Sequence, residues 1–215
     1  ERTYISDFIP ISAVGDSLAL CNVSIEYPTW TICGLLANWL SIPFDFISRQ
    51  KIGSVMVNHF IIKQLPTLPP QVYTPDLLGF IVPRVAELTY TAWDMQAFAR
   101  DIGYDGAPFM WDDYRRFVMR CELDALYFHL YGISRDDVDY ILDTFPIVRR
   151  KDEAQHGEYL TKRAILTLYD DMARLPQVQI PAPKGDGTVL VPDVRGFVSE
   201  LNPPPADDAV RHEEV

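Results

Sequence analysis

The sequence predicts an α+β fold, with a small strand-containing N-terminal part followed by a mainly α-helical C-terminal part. Three observations carry this prediction. The first two dozen residues alternate loosely between apolar and polar positions, as half-buried strands do. From Thr31 onward, apolar residues recur at the three- and four-residue spacing of amphipathic helices. The 215 residues are 48% hydrophobic and 12% aromatic, which is enough apolar material for a packed core.

The first elements are predicted from short local signals. Two strands are expected within residues 1–24, joined by a turn at Gly15-Asp16. A helix follows from Thr31. A second helix over residues 43–50 is expected to begin after the cap residue Ser41, with a proline in its first turn. This part of the chain then continues through a loop and a short apolar element.

The remaining elements are mainly helical. Four prolines within residues 66–75 predict an extended connection. Helical spacing then covers residues 76–103, 111–131 and 158–175. In the second of these, Arg120 and Asp124 are spaced to form an ion pair on the helix surface. The last forty residues hold proline-rich pieces and a hairpin turn at Gly185-Asp186-Gly187.

The stretch over residues 131–153 is the most readable part of the chain. Gly132 can close the preceding helix, and Ser134 with Asp137 forms a capping-box-like helix start. Four apolar residues share one face of the new helix: Val138, Ile141, Leu142 and Phe145. Pro146 is expected to stop this helix, and Arg149-Arg150-Lys151 is expected to follow as a basic turn.

Charge is unevenly distributed along the chain, whose formal net charge is -11. Residues 1–75 carry a net charge of -1, residues 76–175 carry -6, and residues 176–215 carry -4. Because binding to nucleic acid requires cations that displace counterions from phosphates, any DNA-binding surface is expected in the first third or at local basic clusters.

Three stretches of the sequence share a pattern with one enzyme family. They are YGISRDDVDYILDTFPIVRRKDE (131–153) continued by GEYLTKRAIL (157–166), RQKIGSVMVNHFIIKQLP (49–66), and YTAW (90–93) with FARD (98–101). Together they resemble the C-terminal region of large adenine-specific DNA methyltransferases, such as the type IIG enzymes and the BREX-type methylases of restriction–modification and phage-defence systems. The resemblance implies three regions: the end of a target-recognition domain (1–75), a helical scaffold domain (76–175) and a Pro-rich acidic tail (176–215).

The resemblance implies that the parent protein uses S-adenosylmethionine to methylate adenine within a specific site in double-stranded DNA. Two motifs of that chemistry are missing from this chain: a glycine-rich cofactor loop behind a strand and an Asn-Pro-Pro-aromatic motif for the flipped base. The nearest matches are Gly185-Asp186-Gly187 and Asn202-Pro203-Pro204-Pro205. We therefore expect no catalytic or cofactor-binding residue here, and place both functions in an upstream methyltransferase domain of the same polypeptide. A protein–protein module that docks the methylase onto a helicase or nuclease remains the alternative.

The DNA-binding candidates lie in the second of the three resembling stretches. Arg49, Lys51 and Lys63 can meet phosphates, whereas three short polar side chains suit base edges: Ser54, Asn58 and His59. An ordinary polar loop at a helix end explains this composition as well, and both interpretations stay open.

A second basic group is expected to pair internally. Its members are Arg149, Arg150, Lys151, Lys162 and Arg163, and the nearby acids are Asp139, Asp143, Asp152 and Glu158. DNA bracing is the alternative role. Glu153 and His156 have a spacing that could serve a metal, but a solvated turn is the favoured interpretation, and no metal site is predicted. His129 is expected to be a hydrogen-bonded core or boundary residue.

Cysteine usage and hydropathy predict a soluble protein of the cytoplasm. The three cysteines (Cys21, Cys33 and Cys121) are odd in number, widely spaced and without a Cys-x-x-Cys pair, so a disulfide framework or zinc ribbon is not expected. The least charged run, residues 31–47, is too short to span a bilayer, and no signal peptide is recognisable.

Overall fold

The computed structural model describes residues 4–10, 15, 20–21, 27–53, 57, 59–181 and 188–194. Its helices are α1 (Thr29–Trp39), α2 (Ile42–Lys51), α3 (His59–Ile62), α4 (Pro75–Thr89), α5 (Gln96–Asp101), α6 (Asp113–Leu130), α7 (Arg135–Asp143), α8 (Pro146–His156) and α9 (Leu160–Ala173). Short 3-10 turns lie at Pro70–Val72 and Trp93–Met95. Two strands complete the described elements: β1 (Gln177–Pro181) and β2 (Thr188–Pro192).

The mainly helical α+β class is confirmed, but the strands lie at the C-terminal side. β1 and β2 pair as an antiparallel hairpin, with Gln177 opposite Pro192 and Pro181 opposite Thr188. The connecting residues 182–187, with the predicted glycine turn, lie outside the described part.

The N-terminal placement of the strands was wrong for the residues that can be compared. Of residues 1–24, the structure describes 4–10, 15, 20 and 21, and none of these is in a strand. The backbone N–H of Tyr4 donates to Asp45 of α2 at 2.7 Å, and the Tyr4 ring contacts Phe44 edge-on. The apolar residue Tyr4 is therefore buried against a helix and not within a sheet. The other residues of the predicted strands and Asp16 of the predicted turn lie outside the described residues.

The helix α6 is the centre of the core. Every residue from Cys121 to Leu130 is buried, although three of them are polar or charged. Glu122 forms a buried ion pair with Arg84 of α4, with Nε and Oε2 2.8 Å apart. One apolar cluster extends from Cys33 in α1 to Val194 beyond β2. All three predicted regions contribute to this core, and the boundaries between them stay a prediction.

The proline-rich connection before α4 is held by polar contacts. Asn38 of α1 accepts a hydrogen bond from the backbone N–H of Leu68 at 2.9 Å and donates to the hydroxyl of Tyr131 at 2.7 Å. That hydroxyl donates to the carbonyl of Pro66 at 2.7 Å. A segment without regular hydrogen bonding is thereby fixed to both α1 and the end of α6.

Helix ends follow the predicted signals at two positions and depart from them at one. Gly132 has a φ of 65° directly after α6, and the Ser134 hydroxyl caps α7 by accepting from the N–H of Asp137. Pro146, however, begins α8 at its first turn, so the basic cluster lies within a helix and not in a turn. A proline is tolerated there because the first N–H groups of a helix have no partner inside it.

No single helix among the described residues is long and apolar enough to cross a membrane. The consecutive helices α1 and α2 meet that test only as a pair, by length and composition, and are bent by 62° at their junction.

Candidate nucleic-acid interface

Arg49, predicted as a phosphate contact, is engaged within the protein. Its Nε lies 3.1 Å from the buried carboxylate of Asp45, one helical turn earlier. Its Nη1 donates to the carbonyl of Thr144 at 3.2 Å, and its guanidinium lies 3.8 Å from the centre of the Phe145 ring. Thr144 and Phe145 connect α7 to α8, so Arg49 fastens the C-terminal end of α2 to the start of α8.

This contact brings two basic stretches together that are far apart in the sequence. Lys51, the last residue of α2, is exposed two positions beyond Arg49. Arg149, Arg150 and Lys151 follow within two turns of the α8 start and are exposed as well. We call these five residues the basic edge. The sequence signal that the two halves share is a group of cations close to a predicted helix end.

The phenol of Tyr159 supports the proximity of the two halves. Burial raises its pKa, and the charges of Asp152 and Asp143 raise it further. Both Arg149 and Arg49 act in the opposite direction on the same pKa. Cations from α8 and α2 therefore lie close enough to one side chain to influence its ionisation.

In the second basic group, two of the five cations pair with acids of the predicted set, and Arg149 pairs internally with a different acid, Glu153. Lys162 lies 3.0 Å from Asp139 and 2.9 Å from Asp143, and Arg163 lies 2.8 Å from Glu158. Because Lys162 and Arg163 are paired, the charge of the basic edge on this side depends on the residues of α8.

On α8, both carboxylates have hydrogen-bond or ion-pair partners, whereas one cation forms no ion pair with the described residues. Arg149 pairs with Glu153 at 2.7 Å, and Asp152 accepts a hydrogen bond from the N–H of Thr161 at 2.6 Å. Arg150 makes no ion pair with any residue that the structure describes. The three cations of this helix outnumber its two carboxylates, Asp152 and Glu153, so the formal charge of α8 is positive.

The other predicted DNA contacts are only partly placed. Lys63 is exposed just beyond α3, and His59 is the first residue of that helix. Ser54 and Asn58 lie outside the described residues, as do Gly185-Asp186-Gly187 and Asn202-Pro203-Pro204-Pro205. The structure thus brings Arg49 and Lys51 to the basic edge, and the base contacts stay predictions.

A shallow depression of about 370 Å³ adjoins the edge at Tyr159. Its lining includes three cations, and each pairs with a carboxylate: Arg135 with Asp170 at 3.0 Å, Lys162 with two aspartates, and Arg163 with Glu158. Because these charges are compensated, we do not assign an anion site there. In the part of the chain that the structure describes, no group of three or more His, Cys, Asp or Glu side chains could hold a metal ion.

His129 is the hydrogen-bonded core residue that the sequence predicts. Its ring stacks on Tyr169 with 3.9 Å between centroids, and Nε2 lies 3.0 Å from the Tyr169 carbonyl oxygen. Burial lowers its pKa, against the opposing effects of that carbonyl and of Asp170.

A second surface feature lies at the start of α6. Three large side chains are exposed within five positions: Met110, Trp111 and Tyr114. The Trp111 indole donates to Asp113 at 2.7 Å, and the guanidinium of Arg116 lies 3.7 Å from its ring centre. The indole is therefore oriented but largely exposed, unlike the packed aromatic Tyr104, which stacks on Phe109 at 4.8 Å.

Comparison of the chain with protein-family models, curated proteins and solved structures gives no match. What the basic edge can do follows from its chemistry. Exposed guanidinium and ammonium groups on two helices can contact successive phosphates of a nucleic acid and release its counterions.

Proposed function

We propose that this chain is the DNA target-recognition and scaffold segment of a site-specific adenine DNA methyltransferase. The parent enzyme would use S-adenosylmethionine and act on double-stranded DNA in the cytoplasm, as part of a restriction–modification or phage-defence system. Methyl transfer to the adenine amine belongs to the upstream methyltransferase domain. This segment holds the duplex.

One observation carries the proposal. Arg49 belongs to the stretch that resembles the end of a target-recognition region, and its guanidinium contacts Thr144 and Phe145 of the stretch that resembles the methylase C-terminal region. Two of the three stretches that carry the resemblance thus meet at one place. That place is basic although the chain has a net charge of -11.

Some residues of the basic edge have a structural role, and others are available for binding. Arg49 is engaged with Asp45 and the α7–α8 connection, so it positions the edge. Lys51, Arg150 and Lys151 are exposed, and we assign these three cations to contacts with DNA. A sequence-independent contribution to affinity follows, which weakens as salt rises.

A salt titration of binding to duplex DNA tests this proposal. We expect the dissociation constant of the 215-residue chain to rise steeply with salt concentration. Replacing Arg150 and Lys151 by alanine should lower the slope of log K against log salt by about two units, because two cations that release counterions from the DNA are removed. Arg174→Ala is the matched control, since it removes an exposed cation paired with Asp171 at the end of α9. Binding without a salt slope, or no binding at all, would contradict the proposal.

The exposed patch of Met110, Trp111 and Tyr114 favours a second candidate function. Large apolar side chains grouped on a surface are typical of protein interfaces. A docking module that links the methylase to a helicase or nuclease would use this patch and would give no salt-dependent DNA binding. Trp111→Ala separates the two candidates, because DNA binding by the basic edge should be unchanged in this variant.

A further inference from the structure

The helix α8 contributes almost nothing to the core. None of its 11 residues is buried. It is attached through Phe145, the buried residue before its first turn, through half-buried Val148, and through the hydrogen bond from the Thr161 N–H to Asp152. A helix of this length is marginal by itself in water, and most protein helices are stabilised by a buried apolar stripe. Its exposed side is therefore available for contact with something outside this chain.

The exposed side has a definite composition. Ile147, Arg150, Lys151 and Ala154 are spaced i, i+3, i+4 and i+7, so they share one face, and all four are exposed. Val148 and Asp152, which are also one turn apart, face the protein. Glu153 is paired with Arg149, and Asp152 accepts a hydrogen bond from the Thr161 N–H on the inner side, so the four outer-face residues include two cations and no carboxylate.

We infer that the outer face of α8 enters the major groove of duplex DNA and reads base edges, with Arg150 as the specificity-determining residue. This inference rests on the proposed function. The major groove is about 12 Å wide and admits one helix of about 10–12 Å diameter. In the part of the chain that the structure describes, the four outer-face residues of α8 are exposed, and such a helix meets that steric requirement.

The side chains of this face fit base edges better than phosphates alone. An arginine can donate two hydrogen bonds to O6 and N7 of guanine, and small apolar side chains such as Ala154 can contact a thymine methyl group. Phosphate binding alone would give no reason for an apolar side chain on either side of the two cations. Lys51, at the neighbouring end of α2, is placed to contact the flanking DNA backbone.

The test is a selection of duplexes with randomised central positions against the 215-residue chain, followed by affinity measurements on the selected and mismatched duplexes. We compare the wild type with Arg150→Lys, which keeps the charge but loses the two-pronged donor geometry. We expect Arg150→Lys to retain the salt slope and to lose discrimination at one base pair by about 5- to 150-fold, the range for a bidentate contact. Arg163 is a paired cation on α9, so Arg163→Lys should retain both the salt slope and the discrimination between base pairs.

The outcomes separate the two levels of the proposal. If the selection gives no base preference, or if Arg150→Lys discriminates between base pairs as well as the wild type, α8 does not read bases. Salt-dependent binding would in that case still support the proposed function. Absence of any DNA binding overturns both. Because Arg150 is exposed, the variant is expected to fold, and an unchanged melting temperature verifies this.

Discussion

The carboxylate of Asp124, near the middle of α6, accepts a hydrogen bond from the backbone N–H of Ile42 at a distance of 2.8 Å. Ile42 is the first residue of α2, so a side chain from a distant helix caps the start of α2. The carboxylate is almost completely buried and lies at the positive end of the α2 dipole. This contact fixes the helix that carries Arg49 and Lys51.

Removal of this cap is expected to destabilise the protein. Asp124→Ala leaves a buried N–H without its acceptor, which costs about 1–3 kcal/mol. Asp124→Asn keeps an oxygen acceptor and should lose less. Denaturant unfolding of the two variants and the wild type measures the difference. Equal stability of Asp124→Ala and the wild type would mean that the contact contributes nothing.

Gly34 in α1 is required by close packing and not by its backbone conformation. A Cβ atom at this position would lie 2.8 Å from the ring of Tyr73, and the hydroxyls of Tyr73 and Tyr127 both donate to the Gly34 carbonyl. Gly34→Ala should therefore destabilise the protein by about 1–3 kcal/mol. Gly79→Ala is the matched control, since a Cβ there meets nothing within 4 Å and alanine favours the helix α4. Thermal unfolding of both variants is the measurement, and a lowered melting temperature for Gly79→Ala alone would contradict the expectation.

Phe145 joins the core to the basic edge. Its side chain is 1% exposed and lies beneath the Arg49 guanidinium. Phe145→Ala should cost about 3–5 kcal/mol in the free energy of unfolding. Ile147→Ala, at an exposed position of the same helix start, should change stability by less than about 1 kcal/mol. Urea melts distinguish the two; similar losses at both positions would show that Phe145 is not a core residue.

His129 should make stability depend on pH in a defined window. Its folded pKa is lowered by burial below the ordinary value of 6.5, so the unfolded chain takes up a proton first as pH falls. The contribution of the neutral ring is complete above about pH 6.5 and is lost as the pH falls through the folded pKa. We expect the wild type to lose more stability than His129→Gln between pH 7.5 and pH 5.5, both conditions being approximate choices around that value. Parallel losses in urea melts would show that His129 does not contribute.

Under the proposed function, the DNA candidates in the segment from α2 to α3 give separable expectations in the full-length methyltransferase. Lys51→Ala and Lys63→Ala should weaken binding to all sequences similarly and lower the salt slope by about one unit each, as phosphate contacts do. Asn58→Ala should instead relax discrimination at one base pair, by about 1–3 kcal/mol if it makes a two-pronged contact to a base. Competition titrations at several salt concentrations measure both effects. If the Lys51 and Lys63 variants bind DNA like the wild type and the Arg150 variant binds more weakly, the DNA contacts α8 and not the segment from α2 to α3.

The sequence by itself determined most of the helices. Gly132 follows α6 and Ser134 caps α7, as their local patterns predict. Ser41 precedes α2 as expected, but its hydroxyl donates to the Asn38 carbonyl and does not cap the helix. These signals act within about four residues, because a cap or a positive-φ glycine satisfies the backbone groups of its own helix end. Val138, Ile141 and Leu142 are buried on α7 as their stripe predicts, whereas Phe145 lies beyond the end of α7 and is buried as the residue before α8.

Tertiary structure alone decided which polar side chains meet. By spacing, Asp124 was expected to pair with Arg120 on a helix surface, yet it is buried and caps α2, and Arg49 contacts the α7–α8 connection instead of standing free. The described strands form on the C-terminal side, whereas the described residues 4–10 form no strand, and Tyr4 and Phe8 among them contact helix residues. Periodicity indicates which face of an element is apolar. Contacts between residues that are distant along the chain depend on how all elements pack together, and a local pattern carries no information about that packing.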